Sequence, residues 1–369
     1  MNQAKENFIR LIESQSSIND RYSNIKRLTK NAGDGRFSLV FTAFDSTSKQ
    51  NVALKFFDPE CASNMYRVEC FERETKILKK LKGARNILEI IEGKNTLTLN
   101  ASFEDLIIPF QFQFYSAELA KSDLRKYIYL SNTNPIQNII FFREMCKSTQ
   151  RIHANNICHR DLKPSNFLIF NQKEIKLSDF GTARTFNEET KPLWQKYPGP
   201  VGDITYTSPE LLCGIYFEEE LAFWNDFYSL GAILFEMFTR TNFNISIFNN
   251  IQKIQELIQY FQVTTESRRK KIFDGFIKGI AQDNPLPDIF AYNTEVPNCI
   301  KHIINDLYKS LANLDYRKRL TDFNRIFMRI DICRIILENE QKYKKWKEIK
   351  KKKKEKKVLE KYNDRPNNR

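Results

Sequence analysis

"HRDLKPSN", His159 to Asn166, sets two bases, an acid, a proline and an amide between the apolar stretches "IC" and "FLIF". Taken alone, this is either a polar turn between two apolar segments or a loop that presents chemistry. Its surroundings decide. Shortly downstream, "EIKLSDFGTAR" (174–184) offers a second acid, Asp179, after a short strand-like run and directly before Phe180-Gly181. Asp161, Asn166 and Asp179 therefore place two carboxylates and an amide at loop ends. Such a set can hold a divalent cation through oxygen ligands, with a phosphorylated nucleotide completing the shell, and Mg²⁺ suits it.

Upstream, "NAGDGRFSLVF" (31–41) has Gly33 and Gly35 between strand-like runs. They are either the turn of a hairpin or a place where backbone N–H groups approach phosphate oxygens. In "VALK", Lys55 sits among Val52, Ala53, Leu54, Phe56 and Phe57. It either faces water from an edge strand or is partly buried and needs an anionic partner. Glu74 can supply one, because "VECFERETKILKKLK" (68–82) spaces Val68, Phe71, Ile77, Leu78 and Leu81 as one face of a helix.

At 369 residues the chain exceeds what a single core ordinarily supports, so two lobes are expected. Strand patterns ("SLVFTAFD", "NVALKFF", "IIPFQFQFYSA") fill the stretch from Tyr22 to about Leu119, whereas helical patterns dominate after Lys121. A sheet-rich lobe joined near "SAELAKSD" to a helical one is the α+β architecture this order implies, and clefts between lobes are common ligand sites. No period of 20–50 residues repeats, and no apolar run approaches ~18 residues. The first twenty residues lack the features of a secretory leader, so a cytoplasmic protein is expected. Seven scattered cysteines without a C-x-x-C pair read as reduced, mostly buried thiols, and with three histidines a structural zinc site is not expected. Of the net charge of +14, +9 lies in Lys342 to Lys357, where eleven lysines meet two glutamates. The basic character belongs mainly to a tail.

In chain order these segments resemble the motif series of eukaryotic-type protein kinases, serine/threonine branch, over about residues 22 to 330. The glycine-rich loop matches Gly33-x-Gly35-x-x-Ser38-x-Val40, the strand lysine Val52-Ala53-Leu54-Lys55, the helix acid Glu74, the catalytic loop His159-Arg160-Asp161 through Lys163 and Asn166, and the metal triplet Asp179-Phe180-Gly181. "SPE" (Ser208-Pro209-Glu210), Asp226 and Arg319 match structural positions, with Arg319 as the partner of Glu210. The resemblance implies a bilobal fold: an N-terminal extension (1–21), an N-lobe (22–119), a C-lobe (120–332) and a basic tail, helical or disordered (333–369). It implies ATP and Mg²⁺ as cofactors and protein hydroxyls as acceptors, autophosphorylation included. Lys55, held by Glu74, would grip phosphates, Asn166 and Asp179 would hold Mg²⁺, Asp161 would take the acceptor proton, and Lys163 would neutralise the transferring group. Adenine would lie between Val40, Ala53 and Leu168 and pair with backbone from Glu118 to Ala120, with Asp123 near the ribose and Ala117 guarding the back pocket. The complete set of Lys55, Glu74, Asp161, Asn166 and Asp179 argues against a binding-only scaffold.

Departures from the pattern matter. Ser38 replaces the third glycine and leaves backbone contacts in place. In "GDITYTSPE", Asp203 stands where the family usually has Thr. A second carboxylate ~4 Å from Asp161 would cost on the order of 4 kcal/mol at an effective dielectric of 20. Three arrangements are open: Asp203 pairs with Lys163, Thr205 replaces the threonine through a shifted loop, or Asp203 points to solvent. Charge and proline in "TFNEETKPLWQKYPGPVGD" (185–203) suggest a mobile loop, and Arg160 suggests activation by its phosphorylation at Thr185, Thr190 or Thr205. The tail, with Tyr343, Trp346 and Ile349 spaced three apart, is either a solvated terminus or a site for nucleic acid, an acidic protein or an anionic membrane surface.

Overall fold

Burial alternates along "SLVFTAFD" and "QNVALKFF", and this period of two sorts the residues onto two faces. Leu39, Phe41, Ala43, Val52, Leu54 and Phe56 are buried on one face, while Val40, Ala53 and Lys55 share the other. The computed structural model describes residues 3–28, 38–103, 106–130, 134–186, 202–215, 219–248, 252–262, 266–292 and 296–363. Helix α1 (Gln3–Glu13) precedes strands β1 (Ser17–Ile18), β2 (Tyr22–Arg27), β3 (Ser38–Asp45), β4 (Gln50–Phe57), β5 (Ile90–Phe103) and β6 (Leu106–Glu118). These form one antiparallel sheet in the order β1-β2-β3-β4-β6-β5. The register sets Val40 opposite Lys55, Lys55 opposite Tyr115, and Ala53 opposite Ala117. The functional face of the sheet is thereby fixed to the residue.

The segment 1–21 is not an appendage. Phe8, Ile9 and Ile12 of α1 are buried in the same cluster as Leu39, Phe41, Leu54, Phe56 and Phe114, and the Phe8 ring lies 6.0 Å from Phe56 and 4.9 Å from Phe112. Glu13 accepts from the backbone N–H of Arg27 at 2.8 Å. Each such buried side chain contributes about 1.5–3 kcal/mol, so α1 covers the rear of the sheet as part of the lobe.

Helix α2 (Met65–Lys80), capped by Asn64, crosses the functional face, where Phe71 packs on Tyr115 at 5.7 Å. After β6 come β7 (Ser122–Asp123), α3 (Leu124–Leu130), α4 (Pro135–Ala154), β8 (Ile157–Cys158), β9 (Phe167–Asn171), β10 (Glu174–Leu177) and β11 (Arg184–Thr185). The short strands pair as β10-β9-β7 and β11-β8, and between them hang the catalytic-loop residues. The helical lobe follows: α5 (Pro209–Leu212), α6 (Glu219–Thr239), α7 (Phe243–Phe248), α8 (Gln252–Gln262), α9 (Glu266–Asp283), α10 (Lys301–Leu311) and α11 (Phe323–Asn363). Apolar α6 is its central post. A Cβ on Gly231 would lie 2.6 Å from the Ala312 nitrogen, so the glycine lets α6 approach the end of α10.

The boundary expected at residue 333 falls within a helix. Helix α11 runs unbroken across it, because Ile326, Ile330, Cys333 and Leu337 repeat at helical spacing and are all buried against the lobe. Arg143 of α4 clamps the same helix through a two-pronged bond to Asp331 (2.8 and 3.1 Å). Six cysteines are buried and Cys299 is exposed, all of them free thiols. Among the described residues, no helix is long and apolar enough to cross a membrane.

Candidate active site

Strand β4 and helix α2 bring their charges together beneath the functional face. Lys55 Nζ lies 2.8 Å from both Glu74 oxygens and 3.3 Å from Asp179 Oδ1. Lys55 is thus the buried, paired lysine, not an edge-strand cation. Burial would lower the pKa of its ammonium, but Asp179 and Glu74 outweigh it and hold the group well above the ordinary value. Burial raises the Glu74 carboxyl, with Lys55 opposing. For Asp179 the balance reverses: burial, which would raise it, is outweighed by Lys55, Lys163 and His159, and the carboxyl sits below its usual range.

The catalytic loop hangs from the start of the helical lobe's core. Buried Asp226 on α6 accepts the backbone N–H groups of His159 (2.8 Å) and Arg160 (2.9 Å) and lies 2.9 Å from His153 Nε2. His159 Nε2 is 3.0 Å from the Ser178 carbonyl, and its ring packs on Phe180. This ties the loop to the segment carrying Asp179. Arg160 (φ 65°) and Asp179 (φ 62°) are both left-handed, a strain tolerated only where surrounding bonds over-determine the backbone. Lys163 Nζ bonds Asp161 Oδ2 at 2.8 Å. Asn166 Nδ2 donates to the Asp161 carbonyl at 2.8 Å, which leaves the amide oxygen as the atom able to meet a cation. Burial raises the Asp161 carboxyl, and Lys163 opposes that rise. Glu210 and Arg319, buried without measurable exposure, form the anticipated two-pronged pair, with Arg319 Nη2 2.9 Å from Glu210 Oε2.

Of the three arrangements open for Asp203, the structure adopts a form of the first. Its Oδ2 is 4.0 Å from Lys163 Nζ, and its own backbone N–H donates to Asp161 Oδ1 at 2.7 Å. Thr205 does not take the threonine's place: its hydroxyl and N–H both bond Asp203 Oδ1 (2.7 and 3.0 Å). Nor is Asp203 a solvated side chain, being 27% exposed. An amide, not a carboxylate, meets Asp161, so the like-charge cost is avoided.

The other expected positions are distributed as follows. Val40, Ala53 and Leu168 are all partly exposed, on β3, β4 and β9, and Ala117 is buried behind them. Ser38 opens β3 and is buried, whereas Gly33, Gly35 and Thr190 lie outside the described residues. Glu118 and Ala120 fall at the junction of β6 and β7. The Glu118 carboxylate bonds Lys176 Nζ (2.7 Å) and the Glu89 N–H (2.7 Å). Asp123 Oδ1 accepts from the Lys126 N–H at 2.9 Å and so caps α3. Thr185, one of the three candidate hydroxyls, is buried in β11 and paired with Ile157 of β8.

Three contributors escape a motif reading. Tyr115 is buried beside Glu74, and burial followed by the Glu74 charge holds its hydroxyl proton tightly. The available signal is an aromatic in the phase that Gln111 and Gln113 occupy along β6. Arg73, beside Glu74, donates to the Gly181 carbonyl at 2.6 Å and joins α2 to the metal triplet. Gly202 (φ +90°) lies so close to the catalytic loop that a Cβ would sit 2.3 Å from the Arg160 carbonyl oxygen.

Comparison with known proteins agrees with this geometry. The family model "Protein kinase domain" matches residues 27–332. A probable cell division protein kinase of Encephalitozoon cuniculi is 31% identical over 56% of this chain and 69% of its own length. The mitogen-activated protein kinase HOG1 of Ustilaginoidea virens is 27% identical over 83% and 78%, respectively. Human cyclin-dependent kinase 15 is 28% identical over 66% of this chain and 51% of its own. With its two lobes, its paired lysine and its catalytic loop in place, the chain belongs to the eukaryotic protein kinase family and is a serine/threonine protein kinase.

Proposed function

We propose that the chain transfers the γ-phosphoryl group of Mg-ATP to serine and threonine hydroxyls of protein substrates, its own included. The observation that carries this reading is two charge clusters that meet at Asp179: Lys55 with Glu74 and Asp179, and Asp161 with Lys163 and Asn166. The donor set fits the cation. Asp179, its side chain 37% exposed and kept ionised by two lysines, and the oxygen of Asn166 supply two hard oxygen ligands, leaving the phosphates to complete the shell. Held by Asp179 and Asn166, Mg²⁺ would neutralise phosphate charge.

The chain's own residues do the remaining work. Lys55, oriented by Glu74, binds phosphate oxygens. Asp161 sits ready to accept a proton from an acceptor hydroxyl, a role worth roughly 10²–10⁴-fold. Its raised pKa, set by burial, makes it a better base than a solvated aspartate, and the Asp203 amide fixes its second oxygen. Lys163, bonded to Asp161 Oδ2, would neutralise the transferring group. Phosphorylation with Mg-ATP and site mapping, wild type against Asp161→Asn, tests the reading; incorporation that survives Asp161→Asn refutes it.

A further inference from the structure

Helix α11 is apolar on two opposite faces. Ile326, Ile330, Cys333 and Leu337 pack into the lobe, whereas Met328, Ile332 and Ile335 are 56%, 42% and 52% exposed. At 3.6 residues per turn the outward row lies about 180° from the inward one. A surface helix with one partner shows one apolar stripe, so a second stripe calls for a second partner.

The outward row also has a definite period. From Met328 it proceeds in alternating steps of four and three through Ile332, Ile335, Asn339 and Lys342, and Ile349 falls one full repeat further on. Asn339, Lys342 and Ile349 are exposed as well. This is the spacing of a coiled-coil seam, which keeps a straight row against one partner helix. With Ile332 at an a position, Asn339 is the next a, the place where a polar residue sets register.

Charge selects the occupant. Beyond the lobe the seam is flanked by Lys345 and Lys352 within a segment of net charge +9. Two copies in parallel would face these lysines with each other, and antiparallel copies would set Arg329 against Lys350. A bilayer would need a lysine-free face, but past Lys342 the lysines fall at all angles around the helix. A nucleic acid would have no use for Met328, Ile332 and Ile335. We propose that the outward face of α11 docks an amphipathic helix of a partner protein, apolar at its own a and d positions and flanked by Asp and Glu.

The test titrates the full chain into a labelled four-heptad peptide with Leu at a and d, one Asn at an a position and Glu at e and g, read by fluorescence anisotropy. A matching peptide with Lys at e and g is the control. The expected result is binding of the Glu peptide alone, weakened about tenfold or more by the double substitution Ile332→Gln and Ile335→Gln, which alters exposed positions and leaves phosphorylation activity unchanged. Absence of binding, or binding indifferent to that double substitution, overturns the proposal. So does self-association, or binding to phosphatidylserine vesicles or to an RNA oligonucleotide, that the double substitution abolishes.

Discussion

The backbone N–H of Asp203 donates to Asp161 Oδ1 at 2.7 Å, so the residue that departs from the family pattern holds the Asp161 carboxylate with its amide while its own carboxylate turns to Lys163 and Thr205. That placement depends on Gly202, whose φ of +90° and contact with the Arg160 carbonyl exclude a side chain. Gly202→Ala should displace the amide and cost about 10²-fold in kcat/KM, the scale of an ångström-sized misplacement. Asp203→Asn keeps the amide and should cost far less. Steady-state kinetics on both variants decide; equal losses would mean that the carboxylate, not the amide, is what matters.

The same cluster sets a pH dependence. Burial raises the Asp161 carboxyl above its ordinary value and Lys163 restrains the rise. Activity needs the ionised form, so the acid limb of kcat/KM should lie above the usual carboxylate range. Lys163→Met removes the cation that favours the carboxylate, so Asp161 will protonate at higher pH. The limb should move up by about 1–3 units, the effect of losing an opposite charge at hydrogen-bonding distance. A limb that stays put or moves down would rule out Lys163 as the restraint on Asp161.

How much of this could be read from the chain follows from how far apart the cooperating residues lie. Asp161, Lys163 and Asn166 share one eight-residue loop, and Asp179 follows after a single hairpin, so local pattern carries them. Lys55 and Glu74 are legible because an isolated cation in an apolar strand demands a partner and one helix intervenes. Tyr115 is not, because only the cross-strand register of β4 and β6 sets it beside Lys55. Gly202 looks like any loop glycine until the catalytic loop passes against it. The segment 1–21 has amphipathic spacing, but a stripe does not say which surface it covers. The exposure of Asp203 could not be read either, since it depends on where an amide ends up, not on residue type.

The buried pair of Lys55 and Glu74 predicts a graded response. Glu74→Gln removes the carboxylate from a buried ammonium that keeps only Asp179 at 3.3 Å. The loss should fall near the lower end of the ~3–5 kcal/mol typical of breaking a buried ion pair, with a raised KM for Mg-ATP. Tyr115→Phe removes a buried hydroxyl beside Glu74 and leaves the pair intact, so no more than about 1 kcal/mol should be lost. Urea unfolding of both variants gives the comparison. A Tyr115→Phe loss as large as that of Glu74→Gln would show that the hydroxyl, not the ion pair, organises this corner.

Helix α1 predicts a contrast within eleven residues. Phe8 is buried between Phe56 and Phe112, whereas Leu11, three residues on at the edge of that face, is exposed. If α1 is part of the N-lobe, Phe8→Ala removes a core aromatic and should cost about 3–5 kcal/mol, while Leu11→Ala should stay within about 0.5 kcal/mol. The Phe8→Ala penalty should also reach the site, since Phe56 lies on β4 beside Lys55 and a loosened strand shifts the lysine against Glu74. Chemical denaturation gives the first quantity and the KM for Mg-ATP the second. A detachable extension would leave both unchanged in both variants, because nothing in the sheet would then depend on whether residue 8 fills the space behind Phe56.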